Sequence, residues 1–155
     1  VLQPTLVAHS PTHWSAFMRD YSPTEMVAHT QSFDAGAHWQ DSGNLTLSNP
    51  GSSVAAVRLS SGDVWMAHNP AGRGREVLLL STSPARATAD DANPAMTWHT
   101  HTLIDGVKAD EYSYPTLIEV PTQGAAQPDV WLSYTHMRQA IAYKQLRPTC
   151  SKGTR

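Results

Sequence analysis

The sequence is poor in cysteine and in charge, and both shortages limit what the chain can be. It has one cysteine, Cys150, among 155 residues, so an internal disulfide framework is excluded. Charged residues make up 15% and the net charge is −2, and neither a basic patch nor a Lys/Arg cluster favours nucleic acid. No apolar run approaches the ~20 residues of a membrane span. We therefore expect no nucleic-acid partner and no membrane span.

Motifs for cofactors, nucleotides and metals are also missing. The sequence has no glycine-rich nucleotide motif and no serine nucleophile elbow. The eight histidines are scattered without ligand spacing. His99 and His101 could share a metal, but no cysteine or clear carboxylate accompanies them, so we interpret them as strand surface. We expect neither a cofactor nor a metal site.

Three of the five tryptophans mark a repeat. Trp14, Trp65 and Trp131 each follow a short apolar run and a polar turn, and each precedes another short apolar run. The runs before them are Thr5–Val7, Val54–Val57 and Thr116–Ile118, and the runs after them are Met26–His29, Val77–Leu80 and Ala140–Tyr143. Short β-prone runs separated by turn residues indicate strands and hairpins, and helical periodicity is nowhere sustained.

Strand groups at a period of roughly 50 residues are typical of propeller blades, with a β-sandwich as the alternative. We predict an all-β chain that forms a single partial propeller over residues 1–155. Its blade-like repeats are expected at about 2–46, 47–103 and 104–146, before a polar tail at 147–155. Residues 1–7 have the pattern of a strand, so we expect the chain to begin inside the fold.

The segment Ser32–Trp39 matches the pattern Ser-x-Asp-x-Gly-x-x-Trp. An aspartate can accept hydrogen bonds from nearby backbone N–H groups and glycine can take a positive φ, so the pattern favours a tight turn. It resembles the Asp-box, the hairpin turn between the third and fourth strands of sialidase blades, in which the aspartate is structural. A degenerate copy runs from Ser83 to Trp98, with Ala85 where the aspartate would stand and a longer loop in place of the turn.

The resemblance extends over nearly the whole chain and is to the C-terminal half of sialidase-type, six-bladed propellers, of which about three blades are present. Sialidases bind the carboxylate of sialic acid with three arginines, because guanidinium offers a planar fork of donors. The resemblance implies that Arg19 is the second of these and Arg75, rather than Arg73, the third. Arg138 follows the last tryptophan strand in the same way and is a further candidate for substrate binding.

Sialidases use a tyrosine nucleophile rather than a second carboxylate. The Tyr-Ser motif places Tyr112 in that role, and Tyr114 is the local competitor. A phenol with a pKa near 10 needs a nearby base. The family's glutamate corresponds to Gln3, which cannot accept that proton, and the family's catalytic aspartate belongs to a blade outside this chain.

The resemblance implies an exo-α-sialidase-like glycoside hydrolase acting on terminal sialic acid or a related acidic sugar. The alternative is a non-catalytic sialidase-fold propeller that serves as a scaffold or glycan-binding subunit. The resemblance favours a secreted or extracytoplasmic location. We also expect the outer blades to be covered by further blades, from the same gene or another chain, because both flanks contain apolar residues. These are Leu6-Val7 and Phe17-Met18 at one end, and Ile141 and Tyr143 at the other.

Overall fold

The computed structural model describes residues 1–85, 96–122 and 128–147, and within these ranges its regular structure is entirely β-strand. The strands are β1 (Leu2–Ala8), β2 (Trp14–Arg19), β3 (Met26–Ser32), β4 (Gln40–Ser48), β5 (Ala55–Arg58), β6 (Val64–His68), β7 (Val77–Ser83), β8 (His99–Asp105), β9 (Tyr112–Val120), β10 (Asp129–His136) and β11 (Ala140–Leu146). In these ranges no helix has the length and apolar character to cross a membrane.

The strands form three antiparallel sheets in chain order. The first contains β1–β4, the second β5–β8 and the third β9–β11, so the sheets span residues 2–48, 55–105 and 112–146. The first strands β1, β5 and β9 contact one another in that order, and the sheets therefore stand side by side like blades. The all-β partial propeller is confirmed.

Two apolar cores lie between neighbouring sheets. One joins the first and second sheets through residues such as Phe17 and Met66, and the other joins the second and third through residues such as Trp65 and Leu132. All five residues of β6 are buried, because successive side chains point to opposite faces and both faces of the second sheet are covered. The middle blade is thus held on both sides.

Two residues that we expected on the exposed apolar flank are instead buried. Val7 and Phe17 are buried against the second sheet, at 2% and 0% exposure, so their prediction as flank residues is wrong. Their neighbour Leu6 points to the other face of β1 and is exposed. At the opposite end, Ile141 and Tyr143 are exposed. Neighbours in a strand point to opposite faces, so Leu6 and Val7 cannot lie on the same exposed face.

The Asp-box turn is held by the side chains of Ser32 and Asp34. Ser32 Oγ donates to Asp34 Oδ1 over 2.8 Å and accepts from the backbone N–H of Gly36 over 2.8 Å. The backbone N–H of His38 donates to Asp34 Oδ1 over 2.8 Å, and its ring Nδ1 lies 2.6 Å from Asp34 Oδ2. These bonds lower the pKa of Asp34 to about 2, and the bond from the His38 backbone contributes most. The aspartate is therefore an ionised structural residue.

Glycine is required at the turn for conformation and for space. Gly36 has a φ of +87°, and a Cβ there would lie 3.0 Å from the ring of Trp14. Trp39 closes the box by donating from Nε1 to the Gly36 carbonyl over 3.1 Å. The turn therefore packs on Trp14, at the start of β2. Arg19 lies at the other end of the same strand.

The second sheet stabilises its degenerate box differently. The backbone N–H of Ala85 donates to Asp63 Oδ1 over 2.7 Å, so an aspartate from the β5–β6 turn supplies a carboxylate near the position that lacks one. Trp98 packs edge-on against Phe17 of the first sheet, with ring centroids 6.2 Å apart. Most of the predicted long loop, residues 86–95, lies outside the described residues.

Candidate functional site

Every candidate from the sequence lies at one end of the sheets. Arg19 ends β2, while Arg75 and Arg138 lie in the equivalent loops of the other two sheets, before β7 and β11. Antiparallel pairing brings the start of each sheet's first strand to this same end, since Leu2 pairs with Arg19 and Tyr112 with His136. The Asp-box is at the opposite end. The topology thus gathers the candidates without bringing all of them into contact.

The arginines of the second and third sheets meet at one carboxylate. Arg75 Nη1 donates to Glu111 Oε1 over 3.0 Å, and Arg138 Nε donates to Glu111 Oε2. Ser113 Oγ also donates to Oε1, over 2.8 Å. The Glu111 side chain is 15% exposed, compared with 28% for Arg75 and 74% for Arg138. Glu111 therefore bridges loops from two blades.

The ion pairs favour the charged forms of Glu111 and Arg75. Burial is the largest influence on Glu111 and opposes its ionisation, but hydrogen bonds from Ser113, Arg75 and Arg138 together outweigh it and lower the pKa of Glu111. Burial likewise opposes the charge of Arg75, but hydrogen bonds to Glu111 and Tyr114 raise the pKa of Arg75 overall. The site therefore contains two guanidinium groups and one carboxylate.

Backbone geometry positions this cluster. Met137 and Arg138 have φ values of 56° and 53° in the tight turn between β10 and β11, which carries Arg138 out of the sheet. The backbone N–H of Met137 donates to the Glu111 carbonyl over 2.7 Å. Positive φ at both central residues, with the backbone N–H of Gln139 donating to the His136 carbonyl over 3.0 Å, is the pattern of a type I′ hairpin turn.

Tyr114 stands beside the cluster in a β-bulge. Its φ is 51°, and the register between β9 and β10 shifts at this point. The Arg75 guanidinium carbon lies 5.2 Å from the Tyr114 ring centroid, within the range of a cation–π contact. The ring is 46% exposed. An open cleft of about 720 Å³ is lined by these side chains. Its lining includes Arg75, Glu111, Tyr114, Thr135, Arg138 and Ile141.

Tyr112, predicted as the nucleophile, is not among the residues that line this cleft. Its ring packs against Tyr134 and His136 at 6.3 and 5.4 Å, beside the core of the second and third sheets. Its hydroxyl donates to Asp110 Oδ2 over 3.1 Å. Burial first, and the Asp110 carboxylate second, raise the pKa of Tyr112. A raised pKa disfavours the phenolate that attack would need.

Arg19 and Gln3 lie in the first sheet, outside the cleft lining. The Arg19 guanidinium carbon is 5.2 Å from the Tyr21 ring centroid, and Arg19 Nε is buried without a hydrogen-bond partner within the described part of the chain. Gln3 is exposed at the start of β1 with a φ of 53°. The described residues contain no group of three or more His, Cys, Asp or Glu side chains arranged for a metal ion.

On the sequence alone, Tyr114 is only a competitor of Tyr112, and Glu111 is not singled out. A signal for Tyr114 was available. Gln3 and Tyr114 each precede the tripeptide Pro-Thr-Leu, at residues 4–6 and 115–117, which aligns the first strands of two blades. Nothing comparable marked Glu111, because its importance depends on loops 36 and 27 residues away.

Comparison with known proteins supports the family and the propeller fold. A family model described as a BNR repeat-like domain matches residues 1–127. Among solved structures, the intramolecular trans-sialidase from Ruminococcus gnavus, in a crystal structure with oseltamivir carboxylate, is similar with a TM-score of 0.72 and 16% sequence identity. The match covers 92% of this chain and 32% of that chain, so the chain spans about a third of its length. No curated protein matched.

Proposed function

Because the chain belongs to the BNR repeat-like family, whose model matches residues 1–127, we propose that it is part of a sialidase-like propeller that binds a terminal acidic sugar. The sugar carboxylate would be held by Arg75 and Arg138. One observation carries the proposal: two arginines from equivalent loops of adjacent sheets converge on a single carboxylate in an open cleft.

The cleft suits a carboxylated sugar in chemistry and in size. Arginine pairs with carboxylates through planar, charge-assisted hydrogen bonds, and each guanidinium carries five N–H groups. Arg75 and Arg138 each use one nitrogen on Glu111, which leaves donors for a second carboxylate. Tyr114 offers an exposed ring on which a sugar could pack, and about 720 Å³ lies within the range of small-molecule sites.

Hydrolysis of the glycosidic bond is the second candidate function, and the phenol of Tyr114 beside Arg75 favours it. The phenolate oxygen would attack the anomeric carbon, and the aglycone would leave as an alcohol after protonation by an acid. Water would then release the sugar. Gln3 stands where a base is expected and cannot serve, so the base and acid would come from elsewhere. Without them the chain would act as a glycan-binding subunit.

Binding and turnover distinguish these functions. The chain, assembled with whatever blades complete it, is titrated with N-acetylneuraminic acid and with oseltamivir carboxylate by calorimetry, and the methyl ester of the sugar is the uncharged control. Release of a fluorophore from its sialoside reports hydrolysis. We expect the acid to bind and the ester not to. Equal binding of acid and ester would contradict the arginine grip.

Arg75→Lys and Arg73→Lys form a matched pair for this assay. Arg73 is two residues from Arg75 but pairs with Glu76 and Asp105, and it does not line the cleft. Lysine keeps the charge but loses the planar fork. We expect the Arg75 variant to weaken acid binding roughly tenfold, the loss of one charge-assisted hydrogen bond, and the Arg73 variant to bind like the parent chain.

A further inference from the structure

We infer that Glu111 sets the charge selectivity of the cleft, because its carboxylate lowers the affinity for ligands with two negative charges more than the affinity for ligands with one. The inference rests on the proposed function, since it concerns the same cleft. It adds a role to a residue that would otherwise be regarded only as a partner for two arginines.

The net charge of the cleft is the first observation that supports a role of Glu111 in selectivity. Of its lining residues, Arg75, Glu111 and Arg138 are the charged ones, and the others are neutral. Two guanidinium groups and one carboxylate leave one net positive charge. A sugar carboxylate neutralises that charge, whereas a phosphate or a doubly charged sugar would bring an excess negative charge next to Glu111. Like charges placed together discriminate against the wrong ligand.

The position of Glu111 makes this effect local. Each carboxylate oxygen faces a different arginine, and Oε1 also accepts from Ser113. A ligand held by both arginines would therefore lie beside Glu111. At a separation near 4 Å, one unit charge changes the interaction by at least ~1 kcal/mol even in bulk water, which corresponds to roughly a fivefold change in affinity.

The anchoring of Glu111 excludes a simple rearrangement that would remove its charge from the site. Its side chain is 15% exposed, and its backbone N–H and carbonyl both contact Met137 in the β10–β11 turn. Arg138, by contrast, is 74% exposed and is the group free to adjust to a ligand. The carboxylate is therefore the fixed component of the cluster.

The experiment compares two probes of similar size, glucuronic acid with one charge and glucose 6-phosphate with two, alongside N-acetylneuraminic acid. Their dissociation constants are measured at low salt for the parent chain and for Glu111→Gln, an amide of the same shape. We expect the preference for the singly charged probe to fall at least fivefold in the variant. Glu76→Gln is the matched control, because Glu76 pairs with Arg73 outside the cleft, and it should leave the ratio unchanged.

A charge-restoring variant separates selectivity from structural support. Glu111→Gln combined with Arg138→Gln returns the cleft to one net positive charge, so the ratio should return toward the parent value even though both affinities fall. A ratio that stays constant in every variant while N-acetylneuraminic acid still binds would overturn this inference and leave the proposed function standing. Failure of the parent chain to bind that sugar would overturn both.

Discussion

Gln3 and Tyr114 occupy equivalent places in the first and third sheets. Each has a positive φ, 53° and 51°, each lies where the register with the second strand of its sheet shifts, and each precedes a proline. A residue before proline avoids the right-handed helical region, and a bulge re-aims the side chain it contains. The first and third sheets therefore share a position for a projecting side chain at the end that carries the arginines.

Removing the hydroxyl of one tyrosine at a time tests which phenol takes part in binding and hydrolysis in the cleft. Tyr114→Phe should abolish any hydrolysis and weaken sugar binding severalfold, because Tyr114 lines the cleft next to Arg75. Tyr112→Phe should leave binding within about twofold but lower the melting temperature, since it removes the hydrogen bond to Asp110. The reverse pattern in turnover and calorimetry would support Tyr112 as the nucleophile.

The difference between Tyr112 and Tyr114 shows what the sequence could predict. Short β-prone runs and the tryptophan repeat predicted these strands closely, since the runs beginning at Met26, Val77 and Ala140 are where β3, β7 and β11 begin. Local spacing cannot reveal a bulge that depends on the partner strand. The positive φ of Tyr114 accompanies a bulge at which Tyr114, and not Tyr112, lines the cleft, and the motif alone does not show this difference.

The contribution of Arg19 remains a prediction from family resemblance. Its position at the end of β2 is equivalent to the loops of Arg75 and Arg138, and its Nε lacks a partner within the described residues. If Arg19 shares the sugar carboxylate, Arg19→Lys should weaken binding as Arg75→Lys does, because lysine loses the fork. Arg58→Lys, at an exposed arginine on β5, is the control. Affinity equal to the control would remove Arg19 from the site.

The Asp-box should make the stability of the folded chain fall with pH in the acid range, because Asp34 becomes protonated there. The pKa of Asp34 is lowered from 3.8 to about 2 in the folded chain, so the unfolded chain binds this proton more readily. Its stabilising contribution is complete above pH ~4 and is lost as pH falls through ~2. Asp34→Asn should therefore lower the melting temperature by a few degrees at neutral pH, and the difference should shrink below pH 3.

A suitable control for that measurement is Asp41→Asn, because the Asp41 side chain accepts a hydrogen bond from the backbone N–H of Gly43 on the exposed strand β4. Thermal unfolding of both variants is followed by circular dichroism between pH 2 and 7. A stability difference for Asp34→Asn that did not change with pH would show that the box depends on side-chain shape rather than on the ionised carboxylate.

Exposed apolar side chains on the outer face of the third sheet lead us to predict that further blades cover this chain in its working form. Ile118, Ile141 and Tyr143 are 52%, 72% and 73% exposed, and they share a face because Leu117 and Leu132 point to the opposite, buried side. The Tyr143 ring contacts Trp131 at 5.8 Å, so the exposed side chains form a continuous stripe. Apolar stripes of this kind mark interaction surfaces.

We expect the 155-residue chain alone to associate or to unfold without cooperativity, because a propeller limits exposed edges by closing its ring. If the proposed sialidase-like site is completed by a further arginine and an acid, these would come from blades unlike the three described, so we expect the covering blades to belong to the same protein rather than to a second copy. Replacing both Ile141 and Tyr143 with serine should reduce association, measured by sedimentation. Val107→Ser, at a residue equally exposed in the β8–β9 loop, is the control. A stable monomer of 16.9 kDa with cooperative unfolding would contradict the need for further blades.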